Sequence, residues 1–388
     1  MKNFVKLGLY ALLVSACVSL EPAADVPERD DSELLNPDDT VLYFTVMEYP
    51  DDYDWHLDSA ASYVRPTLVL YRDFRPLLSV DVSAENEVSA DFDRHHIING
   101  HLYTEYSAGG RTVIKKDGNL LFAYDGEEKL RTILLQGKDL VTLGATRGRE
   151  GLSLRRNGKV IYSSETGVPT SDLYTDSGDL CFSYRTTVSG QPTDWLFCRD
   201  TSVIVGTGSS ETICDIRKVD GIVNRIVCRS GKYYMDSGNL EVQLFPKYKI
   251  SECYFCNAAG RLAVVCRART KSILFPTDKF LIWEGGRTLL DKIMEQEYVY
   301  DGPSGFVVVD FYNNNHISYT VNGVEKLLDA DCHFFGRDCA SLVGDKIYIA
   351  VTPRDSNISP YVFCAGSRQN VATRGAITRL EVVTCPSL

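Results

Sequence analysis

The chain has 388 residues, 24% of them charged and 44% hydrophobic, with a formal net charge of −11 at pH 7. That balance repels nucleic-acid phosphates, and no basic stripe with interleaved aromatics reverses it, so nucleic-acid binding is set aside. By length alone there is room for two or three domains.

The first element is a leader. Lys2 and Lys6 give a basic start, residues 7–14 form an apolar core, and Val14-Ser15-Ala16-Cys17 follows. The apolar stretch is about ten residues, half of what a membrane-spanning helix needs. The pattern resembles the processing site of a bacterial lipoprotein, which implies a signal peptide over residues 1–16 and acylation (palmitate) of Cys17. The expected membrane partner is then lipid on Cys17, at the bacterial cell envelope and on the outer membrane. Cleavage removes Lys2 and Lys6 and no acid, so the mature charge is −13. Residues 17–39 are rich in Pro, Asp and Glu and poor in aromatics, the composition of a flexible acidic tether.

From residue 40 a repeat takes over. Short apolar runs preceded by Gly or Asp start at His101, Leu140, Leu180, Ile222, Leu262, Phe306 and Lys346, in steps of 39, 40, 42, 40, 44 and 40 residues. An eighth copy, TVLYFTV, starts at Thr40, and the surplus before His101 falls in one insertion. In phase with these runs come hairpin turns at Asp117-Gly118, Asn157-Gly158, Ser237-Gly238 and Asn322-Gly323. Asn-Gly and Asp-Gly suit the positive φ angles of tight hairpins. Four antiparallel strands per forty residues cannot bury both faces of one sheet, but radially packed sheets cover one another. The expected fold is all-β: a β-propeller of about eight four-stranded blades over residues 40–388, behind the flexible tether. The rhythm resembles NHL-like and WD-type propeller repeats. Blade one lacks an innermost strand before Val41. The C-terminal run ITRLEVVT can supply it by pairing the chain ends, whereas a seven-bladed ring is the alternative if that run completes the last repeat.

Eleven cysteines besides Cys17 lie from Cys181 onward. Cys181 with Cys198, Cys214 with Cys228, and Cys253 or Cys256 with Cys266 fall on successive strands. An exported compartment permits disulfides there. Cys253-x-x-Cys256 also has the spacing of a zinc half-site, with Cys266 as a third thiol, but no second such pair and no nearby His accompanies it. Reduced thiols filling strand faces are the favoured reading, and neither a metal nor a cofactor is expected.

Catalytic signatures are missing: there is no Gly-x-Ser-x-Gly, no phosphate loop and no His-Glu-x-x-His. GTGSS (206–210), YTDSGDL (174–180) and YMDSGNL (234–240) read as turns. DFDRHHIINGH (91–101) brings His95, His96 and His101 near Asp91 and Asp93. Adjacent strand residues face opposite ways, so at most one of His95 and His96 can join His101.

The unusual feature is the insertion of the first repeat, EYPDDYDWHLDSAASYVRP (48–66), between a second and a third strand. It carries Tyr49, Asp51, Asp52, Tyr53, Asp54, Trp55 and His56. Equivalent loops hold Trp195, Tyr312 and His316, and PRDSNISP follows from Pro353. Aromatics and carboxylates on one face can stack on sugars, and Tyr and Trp also dominate protein interfaces. Asp51 with Asp54 would serve as acid and base in glycoside cleavage. The sequence therefore points to a binding or scaffold protein with an envelope protein partner. A glycan-binding protein or carbohydrate-active enzyme is the alternative, and catalysis is the less favoured role.

Overall fold

The computed structural model describes residues 40–384 apart from 49–66, 82–94, 312–315 and several gaps of one to three residues. The leader, Cys17 and the tether lie outside the described residues.

Eight antiparallel sheets form a ring, a β-propeller. Blade 1 holds the first of the described strands, Thr40–Glu48, followed by Thr67–Arg72 and Arg75–Asp81. Blade 2 runs through His95–Ile98, His101–Ala108, Arg111–Lys116 and Asn119–Asp125. The same order recurs in later blades, whose second strands are Asp139–Thr146, Asp179–Val188, Ile222–Arg229, Arg261–Thr270, Gly305–Phe311 and Lys346–Pro353. These are the apolar runs on which the forty-residue step rests. In blades 4 and 8 the first strand is broken into two short pieces.

A clamp explains why turn and strand keep phase in the first three blades. At the turn before the outermost strand, Asp73, Asp117 and Asn157 take positive φ. Their side-chain oxygens accept the backbone N–H of Leu42, Leu102 and Leu140 at 2.9 to 3.0 Å. Their own N–H groups donate back to the carbonyls of the same leucines. A short Asx side chain tolerates that backbone and reaches the neighbouring strand, so each turn is fixed to the second strand of its own blade.

The apolar core sits between blades. Val141, Leu143 and Leu154 of blade 3 pack against Leu180, Phe182 and Phe197 of blade 4. Another cluster joins blades 7, 8 and 1, with Val309, Ile349, Phe44 and Ile377 all buried. This cluster surrounds the closure of the ring.

Closure pairs the two ends of the propeller. The strand Ala376–Thr384 runs antiparallel to Thr40–Glu48, with Thr40 opposite Thr384 and Met47 opposite Ala376. It is the innermost strand of blade 1, so the ring has eight blades and the seven-bladed alternative falls away. Between the pairs Thr45↔Arg379 and Val46↔Ile377 the register slips by one residue. The extra residue is Thr378. Such a bulge restores the alternation, leaving Ile377 and Leu380 opposite Val46 and Phe44 in one core. It also aims Thr378 elsewhere: its hydroxyl lies 2.8 Å from Nε2 of His95 in blade 2 and 3.0 Å from the Thr45 hydroxyl. Glu381 completes the link, accepting the backbone N–H groups of Asn99 and Gly100, both at 2.9 Å.

Candidate functional site

In a four-stranded blade, connections from second to third strand leave on the same face as those between blades. Glu48 and Thr67, which flank the insertion, are the described ends of one such connection. Tyr49, Asp51, Asp52, Tyr53, Asp54, Trp55 and His56 lie outside the described residues, as does Tyr312. The base of the insertion is anchored. The Glu48 carboxylate accepts the hydroxyls of Tyr71 at 2.7 Å and Thr373 at 2.8 Å. Burial, and next this bond to Glu48, pushes the Tyr71 phenol well above its ordinary pKa. Gly375 permits the close approach, since a Cβ there would stand 2.3 Å from the Met47 carbonyl oxygen.

Trp195 does not belong to a loop. Ser189 and Gly190, at φ of 51° and 77°, close a two-residue turn, and Trp195 lies within the strand Gln191–Cys198. A Ser-Gly pair suits positive φ, so the hairpin turns earlier than the polar run suggests. The indole stacks on Tyr184 at 6.0 Å and donates its N–H to the Thr186 hydroxyl at 2.8 Å. His316 is half-buried just before the blade 7 strand Ile317–Val321.

Blade 7 also holds a group the sequence reading passed over. Glu297, on Gln296–Gly302, and Asp310, on Gly305–Phe311, are direct partners across the first two strands of blade 7. Lys292 of the neighbouring blade brings Nζ to 2.6 Å from Asp310 Oδ1. Asp310 is fully buried and Glu297 nearly so. Desolvation raises both carboxyls, Glu297 to about 7 and Asp310 to about 6, each also raised by like charge and lowered by Lys292. Two adjacent carboxyls and one ammonium thus form a buried, coupled charge cluster. The available signal was one acid at Asp310 in the otherwise apolar run GFVVVDF.

A second feature lies on the rim. Among the described residues the outermost strands pair on one side only, and those of blades 2 to 7 expose apolar side chains, Leu120, Val160, Val203, Leu240, Ile293 and Leu327, interspersed with charged ones in blades 3 and 5 to 7. Their exposures run from 48% at Val160 to 69% at Leu327. Blade 8 differs, its outer strand reading Ser367–Asn370, SRQN.

The histidines do not converge. His95 is buried against Thr378 and Thr45, with Arg379 donating to its carbonyl at 2.9 Å. His96 is held neutral, its pKa pushed down to about 3 by burial and then by Arg379. His101 instead bonds Asp117 in the turn clamp at 2.7 Å. Cys253 and Cys266 form a disulfide between the first two strands of blade 6, which removes both thiols from a zinc half-site with Cys256. Among the described residues no group of three or more His, Cys, Asp or Glu is placed to hold a metal ion.

No protein-family model matches the chain, and no curated protein matches it. Solved structures do. Dihydro-heme d1 dehydrogenase NirN, in complex with DHE, aligns at a TM-score of 0.51 and 10% identity over 91% of this chain and 76% of that one. Apo AztD from Citrobacter koseri aligns at 0.49 and 10% identity over 89% and 98%. The β-propeller domain of the trilobed protease from Pyrococcus furiosus aligns at 0.40 and 10% identity over 63% and 82%. The likeness to NirN shows a shared fold.

Proposed function

We propose that this chain is an exported, lipid-anchored propeller that works as a binding or scaffold protein at the bacterial cell envelope, holding a protein partner. The observation that carries the reading is the apolar rim of blades 2 to 7. An outermost strand leaves one edge unpaired, and exposed apolar side chains on it can seat another chain. Apolar surface kept exposed on several such edges fits a protein contact. The leader and Cys17 support the location. The test is cross-linking in the intact envelope, followed by purification of the full chain. A partner should be recovered in stoichiometric amount, and Leu120→Lys, Val203→Lys and Leu327→Lys combined should abolish its recovery without shifting the urea midpoint. Undiminished recovery by that variant would overturn the assignment of the rim.

A second reading is glycan binding by Trp55 and its neighbours, favoured by the anchored base of the insertion at Glu48, Tyr71 and Thr373. A saturable thermal shift with a polysaccharide, lost in Trp55→Ala, would favour it. New reducing ends after incubation would move it to a carbohydrate-active enzyme.

A further inference from the structure

Where blades 4 and 5 meet, two sulfurs and a lysine come together. Cys181 and Cys198 are register partners on the second and third strands of blade 4, and their Sγ atoms are 2.6 Å apart. Lys218, on the first strand of blade 5, Thr212–Val219, points Nζ at Cys198 Sγ from 3.2 Å. The ammonium is held in place: Asp176 lies 3.7 Å from it, and the backbone N–H of Lys218 donates to the Tyr174 hydroxyl at 2.9 Å. Asp176 is itself fixed, accepting the N–H of Asp220 at 3.0 Å.

The two sulfurs are not equivalent. Cys181 is fully buried, whereas Cys198 is half-buried and carries the ammonium. An ammonium 3.2 Å from a sulfur stabilises the negative charge that the sulfur carries when it attacks or leaves in thiol–disulfide exchange. The disulfide Cys253–Cys266 has none of this, since both its cysteines are buried in an apolar cluster with Ile226 and Leu281.

We infer that Cys181 and Cys198 form an exchange-active disulfide, a site that reacts with low-molecular-weight thiols and disulfides through Cys198. In the oxidising direction the Cys198 thiolate attacks one sulfur of a small disulfide, whose S–S bond breaks and releases one thiolate. Cys181 then attacks Cys198 Sγ in the mixed disulfide and expels the second thiolate. Two cysteine thiols are oxidised, one small disulfide is reduced, and the two protons lost by the cysteines leave on the two released thiols. A small thiol runs the same steps backwards.

The test titrates the full chain in glutathione buffers of graded ratio, with quenching by alkylation and mass mapping of each cysteine peptide. The bond between Cys181 and Cys198 should open at more oxidising ratios than Cys253–Cys266, with circular dichroism unchanged. After mild reduction, iodoacetamide should modify Cys198 before Cys181, and Lys218→Met should slow that modification about ten-fold at neutral pH. Cys181→Ser should trap glutathione on Cys198. The inference is overturned if the two sulfurs are unlinked after oxidation, if they open only together with Cys253–Cys266, or if folded Lys218→Met reacts at the wild-type rate.

Discussion

Closing the ring with the last strand places much of its stability in two side chains. Ile377 and Leu380 are 1% and 7% exposed, stand opposite Val46 and Phe44, and share one core with Ile349 and Val309. Truncating a buried Ile or Leu to Ala costs about 2 to 5 kcal/mol, so Ile377→Ala with Leu380→Ala should cost about 4 to 10 kcal/mol. Stability for a folded domain is about 5 to 15 kcal/mol in all, so the double variant should be marginal or unfolded at room temperature. Because the two side chains share one core cluster, the pair should also depart from the sum of the single variants. Urea unfolding followed by circular dichroism and by tryptophan fluorescence measures this. Each single variant should lower the midpoint, and the double variant should lose the folded baseline. If the double variant unfolded within about 1 kcal/mol of wild type, the closing strand would be dispensable and the reasoning from closure would fail.

Two further outcomes follow from other parts of the ring. Glu297 is held protonated up to about pH 7 in the folded chain but ionises near 4.5 when unfolded, so its stabilising effect is complete below pH 4.5 and is lost as pH rises through 7. Wild type should therefore lose about 2 to 3 kcal/mol between pH 5 and pH 8.5 that Glu297→Gln keeps, as read from urea midpoints; parallel pH profiles would refute it. The turn after the third strand of blade 4 holds Arg199 and Asp200 at φ of 54° and 57°. Asp200→Gly removes the steric penalty of that backbone and should stabilise by about 0.5 to 1 kcal/mol, and a lower midpoint would show that the Asp side chain matters more than its φ.

Much of the architecture was legible in the residues because a propeller is a local fold repeated. The step between His101, Leu140 and Leu180 and the turns at Asp117-Gly118 and Asn157-Gly158 report one blade at a time. The clamp between Asp117 and Leu102 shows why they stay in phase. The pairing of Cys181 with Cys198 was visible for the same reason; for Cys266 the residues offered both Cys253 and Cys256, of which the register pairs Cys253, and Cys228 stands opposite Thr212 rather than Cys214.

The site was less legible. Trp195 looked like a loop residue because Gly190 to Asp194 is a polar run, yet in blade 4 Gln191 to Asp194 already continue the sheet. Alternation alone does not reveal which strand is last in its blade, so the exposure of the outer-strand apolar residues had no local signal. What the sequence determined by itself was the all-β repeat and its strand order, because each depends on neighbours within forty residues, whereas the closing run pairs with residues more than three hundred positions away and its place was settled by the structure. Tertiary structure alone decided the rest. Thr378 reaches His95, Lys292 reaches Asp310 and Lys218 reaches Cys198 only after the blades stand side by side, and a contact between blades depends on radial packing that no local pattern encodes.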